Sequence, residues 1–389
     1  MTLRRVLCAS ANASLRDLFR VRTLTDALSQ DQDNFLLLRL LAASMVIYGH
    51  GEAISGDGRP DLFTWLGWGI YSGALAVNVF FVISGFMITG SYLRRRHLPS
   101  FLWARLLRIY PAYAFCLLGS AFLLGAIFTE LPLRDYLRDH QVMHYVTKNI
   151  ELGIGIVYNL PGVFTGGQVH SAVNGSIWTL PAEVRMYLWV AIAGVLGILA
   201  RKYLANILIV ALFAWGLHRP ATIPLIPLPA FVQLAAYFAL GAFCFVNRQW
   251  VYVGWPIALL TGALAWLLRD SGLYPFAMAA ALASFVFAFA YNTPLYALNR
   301  FGDYSYGLYL WGFPVQQAVA HQIPGISSLA NALIAWPLAL LLAVFSWHVI
   351  EKPMLSLKSL PREVYLRLKS TMQRSGKSVS SVTEAEEAG

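Results

Sequence analysis

The stretch RLLAASMVIYGH, Arg39 to His50, carries a permanent cation at one end and a titratable imidazole at the other, with no charge between them. An imidazole can take a proton from an alcohol near neutral pH, as a general base must when it activates a hydroxyl acceptor. The bland alternative for a lone histidine at the end of an apolar run is a satisfied residue at the membrane interface. Arg39 likewise has two readings, a stem that snorkels to the headgroups or a guanidinium with work to do. Spacing favours a joint role. At about 1.5 Å and 100° per residue, eleven residues climb about 16 Å and end about 20° past three full turns, so the two side chains share one helix face.

A second basic pair, Arg105 and Arg108 in WARLLRIYP, is spaced to share a face and falls at the same depth as Arg39. Together the three arginines form a cationic mouth, and guanidinium forks match phosphate oxygens. The run Arg94-Arg95-Arg96 reads instead as an anchor at the membrane surface. The best candidate carboxylate to orient His50 is Glu183, in NGSIWTLPAEVRMYL; its competing reading is an ion pair with Arg185. Glu52 is a weaker candidate, since its headgroup position leaves it solvated. Ser176 and Trp178 either support the site through a hydroxyl and a ring or serve as a helix cap and an interface aromatic. Asn78, a polar exception in an apolar segment, is placed to hydrogen-bond across helices. Gly85 and Gly90 in FFVISGFMITG permit close helix approach. SYGLYLWGFP reads as aromatic packing and SWHVIEKP as the end of the last apolar segment. Cys8, Cys116 and Cys244 lack metal-ligand spacing and read as three free thiols, so no metal site is expected.

The elements that must position these residues follow from composition. Of the 389 residues, 58% are hydrophobic and only 12% charged, and the mean hydropathy is +0.58, which together indicate an integral membrane protein. Ten helical spans are expected, at 34–54, 70–92, 101–127, 185–200, 203–218, 229–246, 251–268, 273–291, 303–321 and 328–351. The net charge of +10 suggests no nucleic-acid partner once the spans are drawn. Arg94 to Arg96, Arg105, Arg108, Arg201, Lys202, Arg248, Arg300 and the basic residues of both termini gather on one side, which the positive-inside rule assigns to the cytoplasm. The reading is therefore an all-α membrane domain over 34–352 with cytoplasmic termini. It has an N-terminal extension over 1–33 without a removable signal, and a polar, disordered tail over 353–389. The long outer loop 128–184 is expected to open with an interfacial amphipathic helix and to continue as irregular chain sheltered by protein.

Taken in order, RLLAASMVIYGH, VNVFFVISGFMITG, RLLRIYP, NGSIWTLPAEVRMYL, DYSYGLYLWGFP and SWHVIEKP resemble the acyltransferase-3 family of bacterial inner-membrane acyltransferases, over residues 34 to 353. The resemblance implies a ten-helix fold that takes acetyl, or another short acyl group, from cytoplasmic acyl-CoA. The acceptor would be a hydroxyl of a surface polysaccharide or of its lipid-linked precursor. It matches Arg39 and His50 to the family's arginine-histidine pair, Arg105 and Arg108 to its third-span basic motif, and Glu183 to its glutamate. Many relatives carry a second acid directly after that glutamate, where this chain has Val184 and then Arg185. A fused extracytoplasmic hydrolase-like domain, found in some relatives, has no room here. No permanently bound cofactor is implied; acetyl-CoA would be the donor substrate. On this reading Arg39, Arg105 and Arg108 hold the CoA phosphates, and the pantetheine arm spans the roughly 16 Å to His50. There the imidazole deprotonates the acceptor, or carries the acyl group itself as a covalent relay. The competing classes are a transporter or channel lined by the same residues, and a membrane scaffold. The first predicts substrate movement without acyl transfer, the second no effect of alanine at Arg39, His50 or Glu183.

Overall fold

The computed structural model describes residues 19–30, 32–169, 171–218, 221, 228–361 and 363. Most of the expected N-terminal extension, through residue 18, and of the expected disordered tail, from 364, lies outside them, as does Cys8. The chain is mostly helical. Its principal helices are α1 (Phe35–Ser55), α2 (Ser72–Arg95), α3 (Leu98–Leu118), α4 (His140–Ile150), α5 (Leu180–Val195), α6 (Lys202–His218), α7 (Pro229–Val246), α8 (Trp255–Leu267), α9 (Tyr274–Asn292), α10 (Ser305–Gln322) and α11 (Ser328–Ser346). A two-residue antiparallel ribbon, Arg22–Thr23 with Tyr252–Val253, ties the N-terminal segment to the start of α8.

A helix overlaps each of the ten segments read as spans. Among the described residues, six stretches are long and apolar enough to cross a membrane: α1, α2, Leu98–Phe128, α7, α9 and Ser328–Ser359. Helices α6 and α8 are apolar but shorter. One boundary departs from expectation. The segment placed at 185–200 is a helix over Leu180–Val195, because Pro181 seats the first turn and the left-handed Gly197 follows its end. The shift puts Glu183 inside the first turn of α5, not in the loop before it.

Local chemistry fixes the other ends that matter. Helix α1 stops at Gly56, which takes the left-handed conformation with φ 64°. Between α2 and α3 the chain turns at Arg96, itself left-handed at φ 46°, and His97 then caps α3 by accepting from the Ser100 amide. Beyond Leu118, α3 continues through a π-turn, Gly119–Leu124, to Phe128. Pro314 interrupts α10 and leaves the Leu310 carbonyl without its usual helical donor. The Asn174 amide donates to that oxygen at 3.0 Å and the Cys116 thiol at 3.4 Å, so the irregular stretch before α5 completes a helix elsewhere in the bundle. Cys116 and Cys244 are free and buried.

Glycine sets the close contacts. A methyl group at Gly85 of α2 would collide with the Phe238 carbonyl of α7, and one at Gly241 of α7 with the Val82 carbonyl of α2. The two helices therefore meet backbone to backbone. Gly49 of α1 abuts Gly73 of α2 in the same way. Gln316 donates to the Ile47 carbonyl at 2.8 Å and to Asn331 at 3.1 Å, while Asn331 donates back to the Gln316 carbonyl at 3.0 Å, stitching α1, α10 and α11 together in the core. In the 128–184 segment, α4 buries Val142, Tyr145 and Asn149 along one face. Among the described residues, the stretch from 151 to 175 carries no regular element beyond isolated bridges.

Candidate active site

Arg39 and His50 both lie on α1, eleven residues apart in unbroken helix. Around Arg39 the bundle gathers charge of both signs. Arg39 ion-pairs with Asp303, just before α10, and its guanidinium lies 3.3 Å from the Ser305 hydroxyl. That hydroxyl in turn donates to the other Asp303 oxygen at 2.6 Å. Arg108 of α3 reaches the same carboxylate at 2.7 Å and Glu351 at 3.2 Å. Glu351 is 1% exposed and also accepts from Ser346 at 3.0 Å. The Arg108 guanidinium lies 5.3 Å from the Tyr306 ring centre, and Arg105 sits between the rings of Phe101 and Tyr187 at 5.9 and 5.8 Å. Such a network suits arginine, whose fork satisfies two acceptors at once.

Arg39, Arg105, Arg108, Ser305 and Tyr306 line a cavity with about 870 Å³ of space between them, open solvent at its mouth included. Glu183 lines it too, together with Ser84 and Tyr187. The Tyr187 hydroxyl donates to Glu183, and the Ser84 hydroxyl lies 3.4 Å from the same oxygen. The alternative Glu183 to Arg185 pair does not form. Arg185 donates instead to the Pro181 and Leu152 carbonyls at 2.9 and 3.3 Å and lies over the Phe231 ring.

At the far end from Arg39 the cavity is walled by Val77, Phe80, Thr179 and Tyr309. The Tyr309 hydroxyl donates to the Ser176 carbonyl at 2.6 Å and meets the Thr179 hydroxyl at 2.6 Å. His50 is not among the lining residues. It lies level with the Gly49–Gly73 contact, about 6 Å along α2 from Val77. Its ring meets Phe313 of α10 edge to face at 5.2 Å, and its Nδ1 is buried with no hydrogen-bond partner among the described residues. The other edge of Phe313 fills the space over Gly175.

The sequence-derived candidates thus separate into groups. Arg39, Arg105, Arg108 and Glu183 meet in one cavity, and His50 stands beyond its end. Glu183 bonds within the cavity and has no hydrogen bond to His50 among the described residues. Ser176 is buried beside Phe313's contact with Gly175, and its hydroxyl has no partner among the described residues. Trp178 stacks on Phe231 at 6.3 Å, the ring that Arg185 also covers. Asn78 is buried next to Val77. Glu52 is exposed. Sequence reasoning missed Asp303 and Glu351, read only as parts of packing and helix-end motifs, and the tyrosines 187 and 309. The usable signal was an acid at the edge of each apolar stretch, where a carboxylate is costly without a cation.

The acyltransferase-domain family model matches residues 33–351, most of the chain. The chain belongs to the acyltransferase-3 family. It is similar to the O-acetyl transferase of Shigella phage Sf6, at 28% identity over 332 residues, covering 82% of this chain and 95% of that protein. Nodulation protein 10 of Rhizobium leguminosarum bv. viciae is 27% identical over 358 residues, covering 85% of this chain and 95% of the relative. No solved structure matches. Membership of the acyltransferase-3 family and the set of long apolar helices make this a multi-pass membrane acyltransferase.

Proposed function

We propose that this acyltransferase moves an acetyl or other short acyl group from cytoplasmic acyl-CoA to a hydroxyl of a surface polysaccharide or its lipid-linked precursor, within the bacterial inner membrane. In this reading ten helices span the bilayer, both termini are cytoplasmic, and the Arg39 end of α1 faces the cytoplasm. Similarity to an O-acetyl transferase supports the reading. The observation that carries it is the arrangement along α1: a charge-lined cavity at Arg39 and, three turns farther on, an imidazole with an unmatched ring nitrogen.

The donor enters from the Arg39 end and lays its acyl-pantetheine arm along the cavity past Arg105 and Glu183. The acyl group passes the level of Tyr309 to reach His50. There the imidazole takes the proton from the acceptor hydroxyl as its oxygen bonds to the thioester carbon. Collapse of the tetrahedral adduct breaks the carbon–sulfur bond, and the departing CoA thiolate takes the proton back from His50. Asn78 and Ser176, buried near the junction, are supporting residues. Glu183, bonded to Tyr187 inside the cavity, balances the arginines there rather than orienting His50.

Mass spectrometry of surface glycans from cells with and without the gene tests the function. An O-acyl mass that disappears on deletion, returns with the wild-type chain and fails to return with His50→Ala is the expected result. Glycans unchanged by deletion would overturn the reading.

A further inference from the structure

The run Arg94, Arg95 and Arg96, readable in sequence as a membrane anchor, lines a cavity of its own. Together with Arg105, Lys358 and Ser100 it borders a second space of about 640 Å³, and no acidic side chain is among the residues lining it. None of its five cations is in an ion pair among the described residues, where the ion pairs of the first cavity's arginines are made with Asp303 and Glu351. The contrast is one of balance. The first cavity is lined by Arg39, Arg105, Arg108 and one acid, Glu183, and Arg39 and Arg108 are already ion-paired with Asp303 and Glu351, which lowers its attraction for a polyanion. The second has only positive charge. It also lies at the N-terminus of α3, a helix of 21 residues whose first turn contributes Ser100 and whose dipole favours an anion. Arg105 borders both cavities, and its buried Nε has no hydrogen-bond partner among the described residues.

A ligand suited to both spaces has a polyanionic head and a long uncharged arm. We infer that the second cavity seats the phosphates of the nucleotide end of the acyl-CoA donor, while the pantetheine arm passes Arg105 into the first cavity; the inference rests on the acyltransferase reading above. Arg39 and Arg108, already engaged by Asp303 and Glu351, then flank the arm and leave phosphate binding to Arg94, Arg95, Arg96, Arg105 and Lys358. The same chemistry would suit the phosphates of an anionic lipid, and the two sources differ in their dependence on the bilayer.

The experiment is a binding titration of the full chain in phosphatidylcholine nanodiscs with CoA and with 3′-dephospho-CoA. Wild type should prefer CoA, and adenosine 3′,5′-bisphosphate should compete. The R94Q/R95Q/K358Q variant should lose about tenfold or more in CoA affinity and bind the two ligands alike, since the lost charge and the missing phosphate are the same interaction. The R94K/R95K variant, which keeps the charge that orients the helices, should retain the preference. Undiminished CoA preference in the glutamine variant overturns the inference. So does a glutamine variant whose only defect is loss of phosphatidylglycerol binding, which would make the cavity a lipid site. If wild type binds no CoA at all, the donor reading itself fails. Binding that is intact in both proteins sinks the nucleotide seat alone.

Discussion

The two ends of α1 are built on opposite plans. At Arg39 the ion pairs are closed: Asp303 and Glu351 take up Arg39 and Arg108, and each acid is further bonded to a serine hydroxyl. At His50 the surroundings are an aromatic edge, close-packed glycines and a ring nitrogen without a partner. A buried network in which each member has a partner is rigid and costly to break. An unmatched imidazole is free to exchange a proton with whatever arrives. On the proposed function, the difference gives shaping and holding to the arginine end and bond making to the histidine end.

That division can be broken by substitution. His50→Ala should lower acyl transfer by about 10²- to 10⁴-fold, the usual weight of a general base, with CoA binding unchanged by titration; near-normal turnover would erase the contrast. Asp303→Asn should act on stability, because it strips two mostly buried arginines of their shared carboxylate. Removing one member of such a buried pair costs about 3–5 kcal/mol, visible as a lower thermal midpoint of the detergent-purified protein. If D303N unfolds like wild type, the arginine end is not the rigid one. At the Arg39 end of the bundle, where Phe86 packs on Phe35, Gly85→Ala should force α2 away from the Phe238 carbonyl. Overpacking of this kind costs about 1–3 kcal/mol, and the midpoint should fall with little change in CoA affinity.

The smallest effect belongs to the loop after α1. Asp57 accepts from both the hydroxyl and the amide of Ser328, and these bonds hold its carboxyl below its ordinary value of 3.8. A depressed carboxylate contributes stability above its unfolded pKa and loses it as pH falls through the folded one. Asp57→Asn should therefore lower the midpoint slightly at pH 7, and the gap to wild type should close as the pH drops below about 4. A gap independent of pH would show that the charge of Asp57 is not what holds the start of α11.

Much of this arrangement was legible because it is local. Arg39 and His50 are three turns apart on one helix by arithmetic, and Arg105 and Arg108 are one turn apart, so period alone placed them. The helix at Glu183 was misjudged by five residues because a proline that opens a helix resembles one that precedes it. What stayed hidden was long range. Asp303 lies 264 residues from Arg39 and 195 from Arg108, and no pattern in a single chain joins such positions. The assignment of Glu183 to His50 followed from the need for an orienting acid. In the fold Glu183 lines the arginine cavity and accepts from Tyr187, one turn on in the same helix.

The repair of α10 at Pro314 bears on how the protein is made. The Leu310 carbonyl receives its donor from Asn174, which leaves the ribosome 136 residues earlier. Until α10 is present, the stretch around Asn174 lacks the Leu310 carbonyl on which it closes. Truncations ending before residue 305 should leave 151–175 open to protease, although every residue of that stretch is present.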